Sequence, residues 1–177
     1  MTEPTMRKIR KASLPDDAEK ICEVFAAAKR IMRDAGNMNQ WHDGYPSIDV
    51  VESDLAADGA FVIEDSGRIV AYFAFLPSPE PTYSAIFDGE WVDDVLPYHV
   101  IHRIASVPDA HGIFDSVMNF CFNTEQNIRM DTHRDNYIMQ HLIERYGFDY
   151  CGIIYLKNGD ERLAYQRVIS TFLPPSI

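Results

Sequence analysis

Residues 100–122 read VIHRIASVPDAHGIFDSVMNFCF, and residues 127–151 read NIRMDTHRDNYIMQHLIERYGFDYC. Positions 100–107 form a short apolar run with β-branched residues, which predicts a strand. The turn Pro108-Asp109-Ala110-His111-Gly112 follows. Ile113, Val117, Phe120 and Cys121 then recur at the spacing of a helix that buries one face. A second strand is predicted over 127–132, and Asp135-Asn136 can cap a second helix. Its apolar face is Met139, Leu142, Ile143 and Tyr146, and Gly147 is placed to end it in the left-handed conformation. A further strand over 149–156 completes a strand–helix–strand–helix–strand series, the pattern of a parallel sheet. Ligands of such sheets sit beyond the carboxyl ends of the strands, where Gly112, His133 and Asn136 fall.

Working outward, Asn158-Gly159 predicts a type I′ turn with residues 161–168 returning antiparallel. The tail 169–177, ending Leu-Pro-Pro-Ser-Ile, is expected to be loosely held. On the other side, a short strand over 6–12 leads to a helix whose start is marked by Ser13 and Asp16, with Pro15 tolerated in the first turn. Ile21, Val24, Phe25, Ala28 and Met32 make its core stripe, and Gly36 ends it. Residues 37–46, NMNQWHDGYP, are irregular. Trp41 and Tyr45 there either plug the core edge or wall a pocket, roles that aromatic rings with polar tips suit equally. Ser47 caps a short helix with Ile48, Val51 and Leu55 inward. Strands over 60–64 and 69–76 are joined by Asp65-Ser66-Gly67-Arg68 as a hairpin. The proline-rich stretch 77–98 is either a functional loop or holds a strand near 83–87. Trp91 within it is a second pocket wall or a core residue.

A chain of 177 residues is read as one domain, 1–177, long enough to bury a core. With 46% hydrophobic and 24% charged residues it has the composition of a globular protein. No apolar run approaches the roughly 20 residues of a membrane span. The basic N-terminus has no apolar stretch behind it, so no signal peptide is expected and the location is read as cytoplasmic. Cys22, Cys121 and Cys151 lack a Cys-x-x-Cys spacing, and each sits in an apolar pattern; all three are read as buried, reduced thiols. A net charge of −11 excludes a nucleic-acid groove, which needs clustered Lys and Arg, and is compatible with a cationic substrate.

The segments His102–Ser106, Arg129–Met139, Gly147–Tyr155 and Arg162–Gln166, reading HRIAS, RMDTHRDNYIM, GFDYCGIIY and RLAYQ, closely resemble a bacterial subfamily of the GNAT superfamily of N-acetyltransferases. The N-terminal half is similar more weakly, through Gln40-Trp41 and Gly44-Tyr45-Pro46. The resemblance implies an α/β (α+β) GNAT fold: a mixed, mostly antiparallel sheet of about seven strands with about four helices. It also implies acetyl-CoA as donor, no metal, and a primary amine of a small molecule or a peptide N-terminus as acceptor, with a homodimer possible. The segment 37–46 then runs beside the acceptor site, making Trp41 and Tyr45, with Trp91, the expected substrate-binding residues. Backbone amides at the start of a helix bind phosphate without a charged side chain, so the cofactor cradle is expected at His111, Gly112, Ile113 and Phe114, with Asn136 nearby. In the superfamily's phosphate motif, read without a gap, His111 replaces a Gln or Arg, Phe114 the central Gly, and Ser116 takes the last small position. With a two-residue deletion Gly112 is the central Gly. The resemblance further places the pantetheine arm along Ile104, Ala105 and Ser106, and an amide near Ile104 or Ala105 on the thioester carbonyl.

The superfamily's usual acid, a Tyr seven residues after Asn136, is Ile143 here. His133, just past a strand end and of a type that titrates near neutrality, is the first proton-transfer candidate. Asp131 and His102 follow as bases. His133-Arg134-Asp135-Asn136 is not a kinase loop, because Gln140 stands where that pattern needs Asn. Asp131, His133 and Asp135 do not make a metal site, since two of them flank a helix cap. The alternative is a GNAT-fold protein that binds an acyl-CoA or a partner without turning it over, which Phe114 and Ile143 favour.

Overall fold

The computed structural model describes residues 7–169, so the tail read as loosely held lies, from residue 170 on, outside the described residues. Seven strands form a single sheet in the order β1-β2-β3-β4-β5-β7-β6. They are β1 (Arg7–Lys11), β2 (Ala60–Asp65), β3 (Arg68–Pro77), β4 (His99–Ser106), β5 (Asn127–Thr132), β6 (Asp149–Tyr155) and β7 (Glu161–Val168). Four helices accompany them: α1 (Ala18–Asp34), α2 (Ile48–Ala56), α3 (Ile113–Phe122) and α4 (Tyr137–Arg145). The mixed seven-stranded sheet with four helices is the architecture expected above.

Among these strands β4 and β5 alone run parallel, joined through α3, and every other neighbouring pair is antiparallel. The parallel series predicted over 100–156 therefore stops at β5. The β6–β7 hairpin folds back so that β7 takes the place beside β5, pushing β6 to the edge. Its turn is not type I′: Gly159 has φ +90° while Asn158 stays out of the left-handed region. The loop is one residue longer than predicted, with glycine at its left-handed position.

The helices divide between the two faces. Helices α3 and α4 cover one face, with Val117, Met118, Cys121 and Ile143 packed on Ile63, Phe73, Ile101 and Ile128. On the other, Ile21, Val24, Phe25 and Ala28 of α1 and Val51 of α2 pack on Val62, Tyr72 and Ala105. Each fully buried large apolar side chain contributes about 1.5–3 kcal/mol. A third cluster beneath the 77–98 stretch holds Tyr83, Trp91, Val100, Cys151 and Ile154. That stretch contains no strand over 83–87; it forms a 3-10 turn, Pro81–Tyr83, and one bridge from Phe87 to Ile153. Helix α1 begins a turn later than Ser13 and Asp16 suggest. Residues 13–17 close a turn of their own, with Asp17 N–H on the Ser13 carbonyl, and the Asp17 carboxylate accepts from Ser13 N–H and from Arg10. Cys121 and Cys151 are buried free thiols, but Cys22 is exposed, because its position on α1 falls outside the core stripe.

One irregularity shapes everything that follows. Arg103, inside β4, has φ +56°, and the β3–β4 register slips between Tyr72 and Ala74. The result is a β-bulge, which bends its strand. It also switches the side-chain alternation, so that Ile101 faces α3 while Ala105 faces α1. A non-glycine residue in the left-handed region costs about 1–3 kcal/mol and needs external support. Asp54 of α2, 2% exposed, provides it. Arg103 Nε donates to Asp54 Oδ2 at 3.0 Å, Nη2 donates to Oδ1, and Nη1 donates to the Tyr45 hydroxyl at 3.2 Å. Tyr72 donates to the same carboxylate at 2.7 Å. Burial and that neighbouring charge raise the Tyr72 pKa far above its ordinary value.

Candidate active site

Just before the bulge β4 leaves β5. The two strands pair at His99 with Ile128 and Val100 with Arg129, and the ladder then ends. The gap opens into two cavities that share Met32, Ile104, Asn136 and Met139 as walls.

The first cavity, of about 560 Å³, is lined by the β4 edge at Ile104, Ala105 and Ser106, by residues 110–115 of the turn into α3, and by the start of α4. Gly112 sits at the N-cap of α3 with φ +70°, as a tight turn into a helix asks of glycine. The turn is braced from β1. Arg7 Nη2 donates to the His111 carbonyl at 2.8 Å, and Nη1 donates to the Ser116 hydroxyl at 3.1 Å and the Gly112 carbonyl at 3.4 Å. With those carbonyls engaged, the turn's geometry is fixed and a cation stands beside it. Phe114, in the middle of the turn's first helical residues, is 7% exposed and packs edge-on to Tyr146 in the core. Asn136 caps α4, its side chain accepting from Met139 N–H at 3.1 Å.

The second cavity, of about 770 Å³, is walled by Trp41, Tyr45, Asp54, Glu80, His102, Asp131 and Arg162 among others. A chain of polar contacts runs along it. The Tyr83 hydroxyl donates to Asp131 Oδ2 at 2.5 Å. His102 Nδ1 lies 3.7 Å from that oxygen, and His102 Nε2 lies 3.3 Å from Glu80 Oε2. Glu80 also accepts from Thr82 N–H and hydroxyl. Burial pushes the Glu80 carboxyl up, but the hydrogen bond and charge of His102 with the Thr82 bonds outweigh it, and its pKa falls to about 2. Burial and the Asp131 charge raise Tyr83 well above the ordinary phenol value, so its hydroxyl stays protonated.

Of the expected residues, Ile104, Ala105, Ser106, His111, Gly112, Ile113, Phe114 and Asn136 line the first cavity, and His102, Asp131, Trp41 and Tyr45 the second. Two stand elsewhere. Trp91, 6% exposed, lies in the core behind Tyr83, with the Arg129 guanidinium held between its ring and that of Tyr98, 3.9 Å from each centroid. His133 lines neither cavity. Its Nδ1 accepts from Asp135 N–H at 3.0 Å, closing the turn before α4. Burial and the Arg162 charge lower its pKa below the ordinary histidine value. Ile143 is fully buried in the core and Tyr146 donates to Asn119, so α4 offers no acid in either place. Glu80 and Tyr83 carried no sequence signal, because they sit in a stretch without periodicity. Arg162 did carry one: a cation on the buried face of a strand, in register with Ala164 and Gln166.

No protein-family model matches the chain, and no curated protein sequence does either. Solved structures do. An acetyltransferase of the GNAT family from Streptococcus agalactiae is 29% identical, with a TM-score of 0.82 over 93% of this chain and 96% of that one. The fold is that of the GNAT acetyltransferases. A GNAT-family acetyltransferase from Listeria monocytogenes, 21% identical, superposes with a TM-score of 0.66 over 92% of this chain and 95% of that one. The ribosomal-protein-S18-alanine N-acetyltransferase from Escherichia coli shares 14% identity and a TM-score of 0.56 over 97% and 99% of the two chains. The residues beside the split between β4 and β5 are of a kind that could hold acetyl-CoA. A free strand edge meets a glycine turn at a helix start, and Phe114 is packed into the core. Among the described residues no helix is long and apolar enough to cross a membrane, and no group of three or more His, Cys, Asp and Glu is placed to hold a metal.

Proposed function

We propose that the protein is an N-acetyltransferase that moves an acetyl group from acetyl-CoA to a primary amine, of a small molecule or a peptide N-terminus, by direct attack. The observation that carries this reading is the position of Ile104. It stands at the wall shared by a cavity along the β4 edge and a charged one, where a donor held on one side would meet an acceptor held on the other. Acetyl-CoA supplies an activated acyl carbon. The turn at residues 111–114 would hold its diphosphate on main-chain amides, and the β4 edge at 104–106 its pantetheine amides. A backbone amide near Ile104 or Ala105 would polarise the thioester carbonyl.

The acceptor enters as an ammonium and must lose a proton before it can attack. Glu80, His102 and Asp131 form the polar chain along which that proton leaves. As the nitrogen–carbon bond forms and the carbon–sulfur bond breaks, the nitrogen gives up its second proton and the departing thiolate takes one up. The balance is amide, thiol and one proton. With Ile143 and Tyr146 both committed to packing, the thiolate is protonated from solvent or from this same chain.

Calorimetric titration with acetyl-CoA, followed by thiol release with a panel of amines, tests the reading. Binding with amine-dependent release supports it. Binding without release would favour a non-catalytic acyl-CoA-binding protein, and no binding would remove both.

A further inference from the structure

We infer that the acceptor is an amino acid whose carboxylate pairs with Arg162; this rests on the acetyltransferase reading of the same site. Arg162, at the start of β7, is 3% exposed and lines the charged cavity. Its Nη1 donates to the Glu161 carbonyl and its Nη2 to the Gln40 carbonyl, each at 2.8 Å. Both acceptors are neutral, and among the described residues no carboxylate stands within ion-pair distance of this guanidinium. The other deeply placed arginines differ: Arg129 has Asp94 at 3.1 Å, and Arg103 has Asp54. The nearest negative charges are already engaged. Asp131 accepts from Tyr83, and Asp160 contacts His42 and accepts from Asn158. A guanidinium carries five donors in a planar fork that matches a carboxylate, and a buried cation without a paired anion is costly. The Arg162 guanidinium thus has no carboxylate in direct contact, and Asp131 and Asp160 act on it only from longer range.

Gln40 fixes where that anion would sit. Its carbonyl is on Arg162, while its side-chain oxygen accepts from Asn136 Nδ2 at 2.8 Å, and Asn136 lines both cavities. The unpaired cation is therefore one residue from the junction where acetyl transfer is proposed. On the same cavity's wall lie the carboxylates of Glu80 and Asp131, suited to an ammonium. A zwitterion satisfies both ends. A plain amine or polyamine would leave Arg162 unpaired, and a polyamine would bring more positive charge against it.

The test compares the amino acids, each with its amide and with the amine left by removing the carboxyl group, using thiol release from acetyl-CoA. At least one amino acid should exceed both partners by about tenfold or more in kcat/KM. Arg162→Gln should raise KM for that acid by about tenfold or more, affect its amide much less, and be partly rescued by Arg162→Lys. Amides that match their acids across the panel, or a variant that slows both alike, would overturn the assignment. Should Arg162→Gln fail to fold, the acid-to-amide ratio of the wild-type protein decides alone. If acetyl-CoA binds but no amine releases thiol, the enzymatic reading fails separately. Calorimetry with amino acids then judges the anion site: binding lost in Arg162→Gln upholds it, and no binding to the wild type overturns it.

Discussion

The two cavities that meet at Ile104 are built in opposite ways. The first runs along the β4 edge past the end of its ladder with β5 and along the glycine turn that Arg7 braces through its carbonyls, with apolar residues of α1 and α4 as its other walls. The second is made of side chains drawn from residues 37–46, the 77–98 stretch, α2, β4, β5 and β7. A strand edge beside a helix start suits a ligand that never changes and places few demands on residue identity. A surface of charges from several separate places can be retuned by single substitutions. Under the proposed function, the contrast would put the constant donor on one side and acceptor specificity on the other.

The strongest way to break the contrast is to remove what keeps the cavities apart. Asp54→Ala leaves the Arg103 guanidinium buried beside an unsupported bulge, and denaturant unfolding should show a loss of about 3–5 kcal/mol. A change near zero would mean that the bulge does not depend on this pair. Next, Gly112→Trp should weaken acetyl-CoA binding by about 100-fold or more in calorimetry while the protein still folds, since strain at one left-handed position costs only about 1–2 kcal/mol. Unchanged affinity would move the cradle elsewhere.

A third test sharpens the charged side. The Glu80 carboxyl titrates at about 2 in the folded protein against an ordinary 4.5, so it contributes stability that is complete above 4.5 and lost as pH falls toward 2. Relative to Glu80→Gln, the wild type should lose about 2 kcal/mol over that window, and parallel pH curves would contradict the contact with His102. The smallest effect is expected at His133. His133→Ala should cost about 1 kcal/mol for the lost turn bond and leave kcat unchanged. A large fall in kcat would return His133 to the mechanism.

The same contrast explains what the sequence showed. The first cavity follows from local signals: a β-branched run, a glycine before an apolar stripe, and Asn136 before another. The bulge did not, because nothing marks Arg103 for a left-handed conformation; a carboxylate 49 positions away holds it there. Likewise Trp91 and His133 were drawn toward the site by residue type, yet one stacks on Arg129 and the other closes its own turn. Glu80 and Tyr83 reach Asp131 and His102 through tertiary folding of a proline-rich stretch that has no period to read. The displacement of β6 by β7 was hidden for a similar reason, since alternation in a hairpin does not say which strand of it joins the sheet.

Hydrogen–deuterium exchange with and without acetyl-CoA tests the division of labour most directly. Slowed exchange at residues 104–106 and 110–116, with residues 80–83 of the other cavity unaffected, is the predicted result. Protection that leaves the β4 edge and the Gly112 turn untouched would contradict it.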